Sequence, residues 1–394
     1  MNVSLVALFV LAGLASLFMA WVIGAGSSGA TPFAPAVGAN AISTMRAAFV
    51  VGLLGLAGAV TQGANVSEAV GRGLIGGVTL PVTGVIAVLT IGAGLMAVGI
   101  KTGYPIATAF TVTGSVVGVG LALGGSPVWP KYVEIGTVWV LTPFVGGGIA
   151  FAIASLLPRP DVPERYSVAL LAGIVGAVLA NVEFGFLGPN GTPGSLAAVA
   201  RRLLGLDGLG ATAAISLFVA VAVAGLVSWD VRRDEADGLR RMLLALGSLV
   251  AFSAGGSQVG LAVGPLLPIL DDVTLVSSFA LLAGGGLGIL VGSWTGAPRM
   301  IKSLAQDYSS LGPRRSIAAL VPSFLIAQLA VLLGVPVSFN EIVVSAIIGS
   351  GAAVGGGDAI SARKILVTVG AWVASFGVAF VLGYGAIALL PVAS

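Results

Sequence analysis

The sequence predicts an all-α, polytopic membrane protein with roughly ten to twelve membrane segments. Three observations predict it. Only 8% of the 394 residues are Asp, Glu, Lys or Arg, against about 25% in a soluble domain. Hydrophobic residues reach 57% and the mean hydropathy is +1.09, so the chain cannot cover a water-facing surface and must be solvated by lipid. Apolar runs of spanning length recur along it, without the alternation of apolar and polar residues that marks a barrel strand. The expected location is the cell membrane, as a multi-pass protein in the lipid bilayer.

The runs follow one another in order. Charge-free stretches cover residues 1–45, 47–67, 73–100, 102–130, 135–158, 208–229, 242–270, 273–298, 316–340 and 365–394. Residues 166–182 add a shorter one if Glu183 sits at the interface or lines a cavity. The first run lacks the basic flank of a secretory signal, and its first half reads as a retained membrane helix. Charges collect in short connectors. Asp230, Asp234, Glu235 and Asp237 stand against Arg232, Arg233, Arg240 and Arg241, which reads as a solvated loop between helices. Residues 188–209 form another polar connector, in which Asn190-Gly191-Thr192 matches a glycosylation acceptor, a pattern common by chance. Lys and Arg are spread too evenly to orient the chain.

Charge and residue types exclude whole function classes. Lys and Arg number 18 and Asp and Glu 15, a net +3, too small for a nucleic-acid partner. With no Cys and no His, there is nothing to build thiolate nucleophiles, iron–sulfur sites, His-based metal clusters or Ser-His-Asp triads. Carboxylates do not cluster. The expectation is a protein that is not an enzyme, with no cofactor and no metal.

Sixty glycines are about twice the usual share. Small residues let membrane helices pack closely, but two clusters predict more than that. Gly24 to Gly29, followed by Pro32 and Pro35, and Gly255 to Gln258, followed by Gly260, Gly264, Pro265 and Pro268, both read as breaks in helices. Non-helical backbone at membrane depth is tolerated only inside protein or along a watery cavity. Paired breaks in two halves of a chain point to a transporter's binding site.

The halves correspond. Residues 102–122 and 334–353 each carry a Pro, then Ala107 or Ser338 two residues later, then an apolar stretch with a Gly-rich tail. Gly24 precedes Pro105 by 81 residues, and Gly255 precedes Pro336 by 81. The predicted organisation is a transmembrane repeat at 1–157, a spacer with further membrane helices and polar loops at 158–239, and a second repeat at 240–394.

These segments resemble the inorganic phosphate transporter (PiT) family. That family has two inverted repeats, each with a GANDVANA-like broken helix and a PVSTTH-like hairpin. Residues 21–43 resemble the first broken helix with one extra residue, and residues 251–265, AFSAGGSQVGLAVGP, resemble the second without a gap. The hairpins match at 105–110 and 336–341, and Trp139-Val140-Leu141-Thr142-Pro143 matches the segment that follows the first hairpin. The resemblance spans both repeats and implies two inverted-topology repeats with broken helices and helical hairpins. Two departures bear on mechanism. The family's Asn-Asp pairs, implicated in sodium coupling, are replaced by Gly26-Ser27 and Ser257-Gln258. The Ser-Thr-Thr-His positions hold Ala107-Thr108-Ala109-Phe110 and Ser338-Phe339-Asn340-Glu341.

A tetrahedral oxyanion in a membrane core must exchange its water for fixed donors: helix N-terminal N–H groups, hydroxyls and amides. Glycine lets the backbone approach. The candidate binding residues are Gly26, Ser27, Ser28 and Thr31 on one side and Gly256, Ser257 and Gln258 on the other, with Thr108, Ser338 and Asn340 from the hairpins. The bland alternative is that these side chains only bond helix backbones.

Glu341 stands where the family has His. An ionisable group in an apolar segment is a functional candidate. As a carboxylate it would repel an anion, so it is protonated, pairs with a cation such as Lys101, Arg46, Arg72 or Arg299, or faces out at the hairpin tip. It is the candidate coupling residue. The predicted function is secondary transport of an inorganic oxyanion by alternating access. Phosphate is the leading substrate and sulfate the alternative, with a coupling ion, proton or sodium, that the sequence leaves open. A channel would need a continuous polar path, and ATP-driven transport another subunit, since no G-x-x-x-x-G-K-[ST] occurs. The Gly/Ala faces would permit a homo-oligomer.

Overall fold

Within one apolar segment only a helix satisfies its own backbone in lipid, and the chain takes that solution almost throughout. A computed structural model describes residues 3–159, 161, 163–189, 192–270, 277–355 and 361–389. The first stretch holds α1 (Val3–Gly26), α2 (Ala34–Gly38), α3 (Thr44–Gln62), α4 (Ala64–Arg72), α5 (Val82–Thr102), α6 (Thr108–Ala122) and α7 (Trp129–Leu156). The middle holds α8 (Glu164–Asn181), α9 (Leu196–Leu203) and α10 (Leu209–Arg233). The last stretch holds α11 (Glu235–Val263), α12 (Leu267–Leu270), α13 (Ser278–Thr295), α14 (Ala297–Gln306), α15 (Pro313–Leu333), α16 (Phe339–Gly355) and α17 (Ala362–Leu389). Among the described residues, nine helical segments are long and apolar enough to cross a membrane, and two shorter apolar helices lie at α6 and α16. This is an all-α polytopic membrane protein.

The outer stretches share a succession of elements at a constant offset. α5 and α15 are both 21 residues long. Their left-handed C-cap glycines, Gly103 (φ +77) and Gly334 (φ +60), stand 231 residues apart, the same separation as the touching pair Ser27 and Gln258. Packing is reciprocal as well. α1 lies on α13 and α3 on α11, α1 on α5 and α11 on α15, α6 on α17 and α7 on α16. The middle helices α8 and α10 pair mainly with each other.

One expected break is present and the other is displaced. α1 stops at Gly26 and the chain turns through Ser27–Phe33 before α2. A Cβ on Gly29 would overlap the Gly24 carbonyl, so only glycine lets the turn fold back here. In contrast, α11 runs unbroken through Gly255, Gly256, Ser257 and Gln258 to Val263. Those glycines face a neighbour. A Cβ on Gly255 would run into the backbone of Gly55, one on Gly256 into Gln62, and one on Gly260 into Val66 and Ser67. They are the seam on which α3 and α4 approach α11, as small residues do in membranes. The helix ends one turn later, at Gly264–Leu266, a 3-10 turn in which Pro265 withholds its N–H.

Two smaller expectations change. The charged region at 230–241 is helical apart from Asp234, whose carboxylate accepts from Asp237 N at 3.0 Å and caps α11. Arg241 joins Asp230 at 2.7 Å across the joint. Strands do occur as two short ribbons, β1 (Ile75–Gly76) with β2 (Ser126–Pro127) and β3 (Glu183–Phe184) with β4 (Gly194–Ser195). Glu183 is exposed at β3, beside a cavity, where the short run before it ends. Asn190 and Gly191 of the glycosylation match lie outside the described residues.

The glycine seam generates a stability prediction. Gly255→Val is expected to cost about 1–3 kcal/mol by overpacking, seen as a lower unfolding midpoint in detergent. Gly13→Ala, where nothing lies within 4 Å, should cost nothing. Equal midpoints for the two variants would remove the seam from the account of stability.

Candidate functional site

Each hairpin begins with a helix that a left-handed glycine ends. Beyond Gly103 the chain is non-helical to Ala107, and beyond Gly334 to Ser338. Pro105 and Pro336 cannot donate, and the carbonyls of these buried segments have no helix to join. Side chains from other elements serve them. Trp372 Nε1 donates to Pro105 O at 2.7 Å and Trp139 Nε1 to Pro336 O at 2.9 Å. Asn340 Nδ2 donates to Ile106 O and Gln258 Nε2 to Val337 O, both at 2.7 Å.

The same amides reach the broken helix. Asn340 Nδ2 also donates to Gly26 O at 3.0 Å, and Ser27 Oγ donates to Gln258 Oε1 at 3.1 Å. Gly26, Ser27, Gln258 and Asn340 therefore meet where α1, α11 and both hairpins converge, and the three side chains are 0% exposed. Thr108, Ser257 and Ser338 are equally buried, and among the described residues their hydroxyls have no partner; nor has Asn340 Oδ1. An unpaired buried polar group costs about 1–3 kcal/mol, so these three hydroxyls and one amide oxygen are donors and acceptors that protein contacts do not use among the described residues.

Four candidates are placed differently. Ser28 Oγ donates to Ile23 O at 3.4 Å and Thr31 Oγ1 to Ser27 O at 3.2 Å. Both hydroxyls close the turn after α1, the bland role for such residues. Gly256 faces Gln62 on α3. Glu341 is 2% exposed in the first turn of α16, so it does not face out at a hairpin tip. Lys101, Arg46, Arg72 and Arg299 are all exposed, and no ion pair joins any of them to Glu341 among the described residues. The first turn of a helix is itself a favourable place for negative charge.

The profile of the phosphate transporter family matches residues 10–383. The chain belongs to that family. A "Putative phosphate permease" of Thermococcus kodakarensis is 26% identical over 357 residues, covering 86% of each chain. Another of Pyrococcus abyssi is 28% identical over 359 residues, 86% of this chain and 87% of the relative. "Inorganic phosphate transporter 2-1, chloroplastic" of Arabidopsis thaliana is 24% identical over 92% of this chain and 68% of its own length. A solved structure titled "The sodium-dependent phosphate transporter" shares the fold, with TM-score 0.78 and 22% identity over 97% of this chain and 98% of that one.

In this member of the phosphate transporter family, a second polar network adjoins the junction, and sequence reasoning missed it. Gln328 Nε2 on α15 donates to Ser253 Oγ at 2.5 Å and to Gln62 Oε1 at 3.4 Å, and Gln62 Nε2 donates to Glu183 O at 2.9 Å. Ser253 sits one helical turn before Ser257. Gln62 and Gln328 line a cavity of about 490 Å³ that Asn65 and Asn181 also border. The available signal was a single glutamine within each of two apolar runs, Gln62 in 47–67 and Gln328 in 316–340.

At the turn of the first hairpin an ionic group forms. Ser303 Oγ bonds Gly103 O at 3.1 Å and Asp307 Oδ2 at 2.7 Å, and Lys364 Nζ reaches Asp307 Oδ2 at 2.9 Å. Burial opposes the Asp307 charge, yet the Ser303 and Lys364 hydrogen bonds and the ammonium's charge outweigh it and hold the carboxyl below its ordinary value. A lowered carboxyl stabilises the fold above its unfolded value and loses that contribution as pH falls through the lowered one. The side chain is 44% exposed, so screening keeps the effect small.

Two predictions follow from this geometry. Gln258→Leu leaves Val337 O unpaired and is expected to cost about 1–3 kcal/mol, whereas Ser257→Ala removes a hydroxyl without a partner and should not lower the unfolding midpoint. The opposite ranking would contradict the hydrogen-bond assignment. Asp307→Asn should lower the midpoint near neutral pH, and its difference from the native protein should vanish under acid conditions below the carboxylate range. A difference that grows with acidity would refute the sign.

Proposed function

We propose that this protein is a secondary transporter that moves inorganic phosphate across the cell membrane by alternating access. Residues 1–157 and 240–394 act as repeats of opposite membrane orientation, with 158–239 as spacer. The observation that carries the reading is the junction of α1, α11 and the two hairpins, with unpartnered hydroxyls at Thr108, Ser257 and Ser338. Three hydroxyls can donate to an oxyanion, and the short helices α6 and α16 begin beside two of them, adding N-terminal N–H groups. Asn340 Oδ1, a buried acceptor without a partner, suits the proton that phosphate carries and sulfate lacks near neutral pH. The relatives are likewise named for phosphate. Ser27 and Gln258 bond each other across the centre, so the ion would displace or share that contact.

Glu341 is the proposed coupling residue. No Asp stands at Gly26-Ser27 or Ser257-Gln258 to hold a cation, and Glu341 is the acid of the second hairpin motif. Protonated, it admits an anion to the hairpin; ionised, it repels one, so proton and phosphate would enter and leave together. The fold neighbour is named as sodium-dependent, and gradients of the two ions imposed in turn separate the couplings.

Proteoliposome uptake of labelled phosphate, with sulfate as competitor and with sodium or proton gradients imposed in turn, tests the reading. Phosphate uptake that sulfate does not compete away is expected, driven by a proton gradient and uncoupled from it in Glu341→Gln. Ser257→Ala should weaken apparent phosphate affinity by about 1–3 kcal/mol. Absence of phosphate uptake would sink the substrate assignment. Strict sodium dependence, with Glu341→Gln indistinguishable from native across pH, would eliminate the coupling role.

A further inference from the structure

Two indoles reach across the molecule to the hairpins. Trp139 lies in α7, the last helix of the first stretch, and donates to Pro336 O in the second hairpin at 2.9 Å. Trp372 lies in α17, the last helix of the second stretch, and donates to Pro105 O in the first hairpin at 2.7 Å. The indole N–H is a donor only, so the direction of both bonds is fixed. Trp139 does more. Its ring stacks on Phe110, the third residue of α6, with centroids 3.9 Å apart and planes at 22°. It also meets Phe376 of α17 edge-on at 6.1 Å. One side chain thus holds the second hairpin by its N–H and the first by its face. The bonded carbonyls lie two residues before Ser338 and three before Thr108, whose hydroxyls are unpartnered.

Packing alone does not require this arrangement. An aromatic ring of any kind would fill the space between α6, α7 and α17, but only a donor serves a proline carbonyl in a non-helical segment at membrane depth. We propose that Trp139 and Trp372 are positioning residues: their N–H groups set the hairpin backbones so that the Ser338 and Thr108 hydroxyls face the phosphate, and Trp139 ties the two hairpins into one moving unit. The proposal rests on the phosphate-site reading above.

The test uses the full chain with Trp139→Phe and Trp372→Phe, which keep a ring and delete the N–H, and Trp139→Ala, which deletes both contacts. Trp229→Phe on exposed α10 is the control. Hydrogen–deuterium exchange without phosphate should rise in 335–341 for Trp139→Phe, in 104–110 for Trp372→Phe, and in both hairpins for Trp139→Ala. In proteoliposomes, the two Phe variants should raise KM for phosphate roughly 5-fold or more, the loss of one buried hydrogen bond, with Vmax within about twofold. Unchanged exchange and KM would overturn the proposal. So would a fall in Vmax at constant KM with exchange raised across the whole chain, the pattern of a merely structural role. If the native protein takes up no phosphate, the functional reading fails, and the exchange measurement still decides whether the indoles order the hairpins. The Phe variants keep ring packing, so they report even if Trp139→Ala does not fold.

Discussion

Non-helical backbone within a membrane must find its hydrogen-bond partners in protein, and the centre of this molecule is organised around that requirement. Two hairpins and one broken helix expose carbonyls that no helix pairs. Gln258, Asn340, Trp139 and Trp372 supply donors to Val337, Ile106, Gly26, Pro336 and Pro105. Each bond joins elements far apart in sequence, so satisfying the backbone and assembling the site are the same event. Ser338 ends one of the segments so tied and Thr108 follows the other, Ser257 adjoins Gln258, and all three hydroxyls are buried without a partner among the described residues.

Close approach of helices makes those bonds reachable. Gly58, Gly255, Gly256 and Gly260 bring α3 and α4 onto α11, while Gly24, Gly288 and Gly292 bring α1 onto α13. Side chains at these positions would separate the helices and pull Gln258 away from Ser27 and Val337. Glycine content in this chain therefore acts mainly through packing distance. Gly29 likewise leaves room for the Gly24 carbonyl, whereas at the left-handed caps Gly103 and Gly334 backbone freedom itself is needed.

On the proposed reading, with no Asp at Gly26-Ser27 or Ser257-Gln258, the site is built from neutral groups. Neutral donors bind an anion without holding a permanent countercharge, which leaves the sign of the site to be set by the coupling group. On the proposed reading Glu341, buried and without an ion-pair partner among the described residues, would set it. At the ends of α14 and α17, Asp307, Ser303 and Lys364 fasten the turn of the first hairpin, whereas Gln62 and Gln328 flank a cavity on the side of the second. The two hairpins thus have unlike surroundings although their own geometry repeats.

Composition by itself determined that this chain is helical and lives in lipid, because 8% charge and long apolar runs admit no other solvent. Motif spacing made the recurrence of elements at a constant offset legible, since equal separations persist where the side chains differ. The hairpins, the break after Gly26 and the meeting of Ser27 with Gln258 were readable in that way. Only the tertiary structure decided that α11 continues through Gly255–Gln258, that Ser28 and Thr31 spend their hydroxyls on a local turn, that Glu341 is buried, and that Gln62, Ser253 and Gln328 form a second network. The physical reason is the same in each case. Whether a glycine breaks a helix or seats a neighbour, and whether a hydroxyl is free or bonded, depends on what packs against it from a distant part of the chain, and no local pattern encodes that partner.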